Sequence, residues 1–212
     1  MGGRRTDGNV SIRGLRPLRT LLRNDLFDAR ASCRTCQSIG RRVPGGNGEL
    51  RAAVPTIRKT RVFGIHLLDG HCFEVGKVRF AGTKGFCGGF APYELMPFGE
   101  GEIKNFVEIA EREAIKLDYG LAQLHTPVKI AITHYAPIKE TVIGEPEPVF
   151  PFLGSSRLER ALERHKSMLA PHGHAHGGTF SAEAQFGTRV CNVDLHILRE
   201  RGEDHPFTIF TL

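Results

Sequence analysis

No run of about 18 apolar residues occurs in the sequence, so no segment is expected to span a membrane. A secretory signal is not expected either. The basic start is not followed by an apolar core of ~7–15 residues, because Arg16, Pro17 and Arg19 break the stretch from Leu15 to Leu22. Cysteine is sparse and odd in number: Cys33, Cys36, Cys72, Cys87 and Cys191. That excludes a disulfide scaffold and suggests reduced thiols in a cytoplasmic protein. Residues 1–56 lack periodicity, with no 3.6-residue or 2-residue apolar pattern lasting beyond about two turns. Poor order is expected there, with one short helix across Leu15–Phe27.

Charge is unevenly placed. Residues 1–62 hold 13 arginines and 1 lysine against 3 aspartates and 1 glutamate, a net +10. The remainder carries 15 basic and 19 acidic groups, a net −4, so the overall +6 belongs to the N-terminal third. Such an asymmetry marks a segment with a separate explanation.

From about Ile57 patterned sequence begins. Val62–Leu68 and Lys77–Ala81 read as strands, with Asp69-Gly70 as turn residues. The glycine-rich stretch 82–89 follows the second. A helix is predicted over Glu102–Leu124, where Ile103, Phe106, Val107, Ala110, Ala114, Leu117, Leu121 and Leu124 form one stripe, and Pro127 ends it. Val128–Thr133 reads as a strand stopping at His134. A second helix runs from Ser155-Ser156 to His165, with Ser156 and Glu159 at capping-box spacing. Ser167–Ala170, Arg189–Leu195 and Pro206–Leu212 complete the strands. Strand and helix alternate, which is an α/β order, and in open α/β sheets chemistry sits beyond the carboxyl ends of strands.

Two histidine groups lie at such ends. His174 and His176 flank Ala175, and neutral imidazole is the commonest metal ligand. His134 opens a His-x-x-Pro stretch after a strand. Cys33 and Cys36 have half the spacing of a zinc site, without a second pair. Residues 82–89 are not a phosphate-binding P-loop, because no Gly-Lys-Ser/Thr follows at the required spacing. Ser155-Ser156-Arg157 at a helix start is a candidate phosphate contact or a simple cap.

In order, Leu68-Asp69-Gly70, Gly85-Phe86-Cys87-Gly88-Gly89-Phe90, His134-Tyr135-Ala136-Pro137, the stretch from Pro151 to Leu158 and Gly173-His174-Ala175-His176 resemble the calcineurin-like metallophosphoesterase superfamily. The resemblance covers roughly three-quarters of the chain, residues 57–212. It implies an incomplete metallophosphoesterase-type β-sandwich flanked by helices, preceded by the atypical segment 1–56. It also implies two divalent ions of the Mn, Fe or Zn class, with His134 and His174 on one and His176 on the other. The implied activity is phosphomono- or diester hydrolysis by a metal-bridged hydroxide, with a phosphate ester as substrate.

The family's first three motifs do not stand clearly upstream. No Asp-x-His occurs in residues 1–56. Asp25 and Asp28 have Asp-x-x-Asp spacing without the preceding glycine. Gly46-Asn47-Gly48-Glu49 resembles the third motif, with Gly48 in place of the family's catalytic histidine, so the general acid has no candidate. Two explanations stand for that segment: an N-terminus of another kind, or a first third read from the wrong start or frame. Reading the other two frames of the coding DNA for Asp-x-His or Gly-Asn-His would test the latter. A function of another class is an inactive relative acting as a binding protein, its basic segment touching nucleic acid or a partner. Only Phe27 interleaves those arginines, so no stacking platform accompanies them. A targeting peptide over residues 1–30 is a third reading.

Overall fold

The computed structural model describes residues 67–202 and 207–211, together with the backbone of Thr20–Arg23. Apart from Thr20–Arg23, the segment 1–56 for which poor order is expected, with the candidates Asp25, Asp28 and Asn47 and the Cys33–Cys36 pair, lies outside the described residues, as do residues 62–66 of the first expected strand. Leu67 and Leu68 are not in a strand. Within the expected helix Leu15–Phe27, Thr20–Arg23 is instead a strand, β1, because its backbone pairs antiparallel with β8 (Phe207–Phe210) near the other end of the chain. That long-range partner outweighs a local helical preference.

The rest is a mixed α/β arrangement on one six-stranded sheet. Its strands are β2 (His71–Val75), β3 (Val78–Gly82), β4 (Lys129–Ile132), β5 (Leu169–His172), β6 (Ser181–Glu183) and β7 (Arg189–Asn192). Their order across the sheet is β2-β3-β4-β5-β7-β6. The four central strands are parallel, and antiparallel β2 and β6 close the two edges. The helices are α1 (Gly101–Ala122), the four-residue α2 (Phe150–Leu153), α3 (Ser156–His165) and α4 (Leu195–Glu200). No helix among the described residues is long and apolar enough to cross a membrane.

Alternation along the parallel strands divides the core in two. Phe80, Ile130, Leu169, Cys191 and Val193 face one side with Val78 and Phe210. Ala81, Ala131, Ala170 and Val190 face the other, under Leu117, Leu121, Leu158 and Leu162 of α1 and α3. The helix-facing side is mostly alanine, so the helix backbones lie close to the sheet. At Gly120 an added Cβ would stand 3.2 Å from the Cβ of Ala81, tighter than ordinary contact. Each fully buried leucine in this layer contributes about 1.5–3 kcal/mol through removal from water.

The expected α/β character is present, whereas the expected β-sandwich is not shown. Among the described residues there is one six-stranded sheet and the separate β1–β8 pair, whose Phe210 joins the apolar layer on the sheet's second side. The α1 stripe holds for Val107, Ala110, Leu117, Leu121 and Leu124, while Ile103 is exposed. Glu113 joins the buried face: its carboxylate accepts from Thr83 Oγ1 and from Gly85 N, and pairs with Lys116 at 2.7 Å. The helix thereby grips the loop that leaves β3.

Candidate metal centre

The carboxyl ends of β4, β5 and β7 lie side by side, and three loops leave the sheet there. Their backbones are joined before any side chain acts. Thr133 N donates to Pro171 O at 3.2 Å, Gly173 N to His134 O at 3.2 Å and Val193 N to His172 O at 2.7 Å. Asn192, completely buried, ties two of the loops together. Its Nδ2 donates to Ala175 O at 2.6 Å and its Oδ1 accepts from Asp194 N at 3.2 Å.

His134 and His174 meet across this end of the sheet, with ring centroids 4.8 Å apart. Tyr135 closes the group at 4.5 Å from the His174 ring. His174 Nε2 donates to Phe152 O at 3.3 Å. A carbonyl only accepts, so Nε2 carries a proton in this bond, and in the neutral ring Nδ1 keeps its lone pair. Burial pulls the His174 pKa below its ordinary value, and neighbouring His176 adds to the fall, so the ring is neutral as a ligand must be.

The backbone at His174 is unusual. Its φ is 72°, and Ala175 N donates to Gly173 O at 2.9 Å across it. Such conformations cost of order 1–3 kcal/mol and cluster at functional sites.

His176 does not join the other two rings. It stacks on His196 with centroids 4.8 Å apart and 21° between planes. Asp194 bridges the two rings, one oxygen 3.0 Å from His196 Nδ1 and the other 3.5 Å from His176 Nε2. The ligand atoms of these three residues lie within 4.8 Å of one another. The arrangement thus divides the three sequence-predicted histidines into a His134–His174 pair and a His176–Asp194–His196 group. Asp194 and His196 were missed by sequence reasoning, although Asp194-Leu195-His196 is itself an Asp-x-His following a strand. The strand ends at Asn192, not at Leu195 as expected, because Asp194 caps α4 by accepting from His196 N at 2.8 Å.

The donor set suits a divalent ion. His176, Asp194 and His196 bring two imidazoles and a carboxylate within 4.8 Å of one another, donor types that divalent ions take. His172 is excluded from it. Its Nδ1 donates to Gly173 O, its Nε2 is hydrogen-bonded to Thr141 Oγ1, and burial lowers its pKa to about 4. No protein-family model, curated protein or solved structure matches the chain.

The other sequence candidates resolve into supports. Ser155 Oγ accepts from Arg157 N, Ser156 Oγ accepts from Ala91 N at 3.1 Å, and Arg157 Nη2 donates to Leu95 O at 2.9 Å. All three are buried: Ser155 caps α3, while Ser156 and Arg157 latch the 88–95 loop to it, instead of presenting a phosphate site. The cap is Ser155, one residue before the Ser156 of the expected capping box. The glycine-rich loop is held by its backbone as well: Gly88 N donates to Pro151 O at 2.9 Å and Gly89 N to Gly154 O at 3.0 Å. Its Lys84 carbonyl accepts from His134 N and Tyr135 N, which fixes the start of the His134 loop. Gly154 is required where it stands, because a Cβ there would collide with the carbonyl of Ala136.

Proposed function

We propose that this chain is a metal-dependent phosphoesterase of calcineurin-like type, hydrolysing phosphomono- or diesters. The observation that supports the reading is the placement of the His134–His174 pair and of the His176–Asp194–His196 group where the adjacent parallel strands β4, β5 and β7 end. His134 and His174 would hold one ion and His176 a second. When bound, divalent ions supply Lewis acidity toward phosphoryl oxygens and lower the pKa of water toward neutrality.

The chain's own groups do the positioning. His174 is oriented by Phe152 O and kept neutral by burial. Asp194 contributes negative charge that offsets the charge of bound cations. Lys84, exposed at the rim with Nζ 5.9 Å from the Tyr135 ring, offers a cation to the charge that spreads over phosphoryl oxygens. Tyr135, its hydroxyl pKa raised by burial, presents a neutral ring beside His134 and His174.

The test is turnover of bis(p-nitrophenyl) phosphate by the full chain, with and without added Mn or Zn, for wild type and His174→Ala. Metal-dependent turnover lost in the variant supports the reading. Wild-type turnover no higher than that of His174→Ala under every metal condition refutes it.

A further inference from the structure

We propose that His176, Asp194 and His196 form a three-ligand divalent-metal site of their own, assembled from the loop after β5 and the capped start of α4 after β7. The inference rests on the reading above in one respect, that His176 is a metal ligand, and adds two ligands to it. Two ligands bound about 2.1 Å from one ion at adjacent positions are themselves about 3.0–3.4 Å apart. Asp194 Oδ1 stands 3.0 Å from His196 Nδ1, its Oδ2 stands 3.5 Å from His176 Nε2, and the ligand atoms of all three residues lie within 4.8 Å of one another.

Helix capping alone does not explain this placement. The cap uses one carboxylate oxygen, Oδ1, which accepts from His196 N. The other oxygen reaches a histidine from a different strand's loop. Asp194 is also nearly buried, with its side chain 12% exposed, whereas the side chains of His176 and His196 are 58% and 59% exposed. A carboxylate at the base with two imidazoles above it leaves the outer side open to solvent.

The chemistry follows from the donors. Two neutral imidazoles and one carboxylate leave a divalent ion with a net charge of +1. Three protein ligands leave further positions for water or substrate, as in catalytic sites. The site therefore suits a Zn, Mn or Fe(II) ion that attracts an anionic group. Asn192 positions it, since the same amide holds Ala175 and Asp194.

The full chain, stripped with chelator, is titrated with Zn(II) alone by calorimetry, and the bound metal is counted by elemental analysis after dialysis. Asp194→Asn keeps a good helix cap while removing the charge. His196→Gln alters an exposed side chain that the core does not need. Each variant is expected to lower the affinity of one zinc site at least about tenfold, with melting of the metal-free protein unchanged for His196→Gln. Zinc stoichiometry and affinity equal to wild type in both variants overturns the proposal, whatever the turnover. Zinc loss in both variants, with no metal-dependent turnover in wild type, upholds this site and removes the phosphoesterase reading alone.

Discussion

Replacing His174 by glycine and by alanine separates the imidazole from the backbone that carries it. The residue sits at φ 72°, and the amide of Ala175 bonds back to Gly173 O across it. A three-residue turn with a positive-φ centre is the rare and strained form of the γ-turn. A side chain in the left-handed region costs roughly 1–2 kcal/mol that glycine does not incur. Glycine loses roughly 0.5–1 kcal/mol of that advantage through its freedom in the unfolded chain. Both variants lose the bond to Phe152 O and the ring contacts with His134 and Tyr135, so those terms cancel between them. His174→Gly is therefore expected to be more stable than His174→Ala by about 0.5–1 kcal/mol. In a domain of this size that is about 1–4 °C in melting temperature. The assay is thermal unfolding of both variants in chelator, so that no ion contributes. An alanine variant melting at or above the glycine variant refutes the claim that His174 holds its loop under strain.

Three further outcomes are expected. Asn192→Ala should cost about 1–3 kcal/mol in denaturant unfolding, because the buried Ala175 carbonyl and Asp194 amide both lose their partner; a change below 0.5 kcal/mol would contradict the clamp, on that same scale. Glu113→Ala should cost a similar amount by orphaning Thr83 Oγ1 and Gly85 N, and Glu113→Gln, which retains an acceptor, should cost less under the same urea titration. Glu159 is pushed up to about 7 by burial first, then by Glu163 and Glu140. A carboxyl with a folded pKa above its unfolded value favours the protonated folded state, so its stabilisation is present at low pH and is lost as pH rises toward 7. Glu159→Gln should flatten that decline between its ordinary pKa of 4.5 and about 7, and an unchanged slope across that window would count against the raised pKa of this half-buried carboxyl.

What sequence reading reached and what it missed follow from physical range. The α1 stripe was legible because apolar spacing along one helix face is a local property, and Val107, Leu117 and Leu121 are buried as it requires. The strand before His174 was legible in outline, displaced from Ser167–Ala170 to Leu169–His172 because its ladder is set by pairing with β7. The hairpin strand His71–Val75 escaped because its residues are only half-buried or exposed at a sheet edge, so no alternation marks them. The three-residue β6 is too short to leave a pattern. Asp194 and His196 were hidden differently. Val190, Cys191 and Val193 look like a continuing strand, and that reading placed Asp194 inside it. Only the pairing of His172 with Asn192 brings the end of β7 beside the His174–His176 loop, and no single-chain pattern encodes that partner.

The parallel pairing also has a kinetic side. β3, β4, β5 and β7 are neighbours in the sheet, yet each of the last three is separated from the one before it by a crossover, the first containing the whole of α1. Closing such connections costs entropy before any pairing rewards it, and folding through non-local contacts is slow. His134, His174 and Asp194 reach the same end of the sheet only once those strands have docked, so an ion bound there would time the last stages of assembly and could not guide the first.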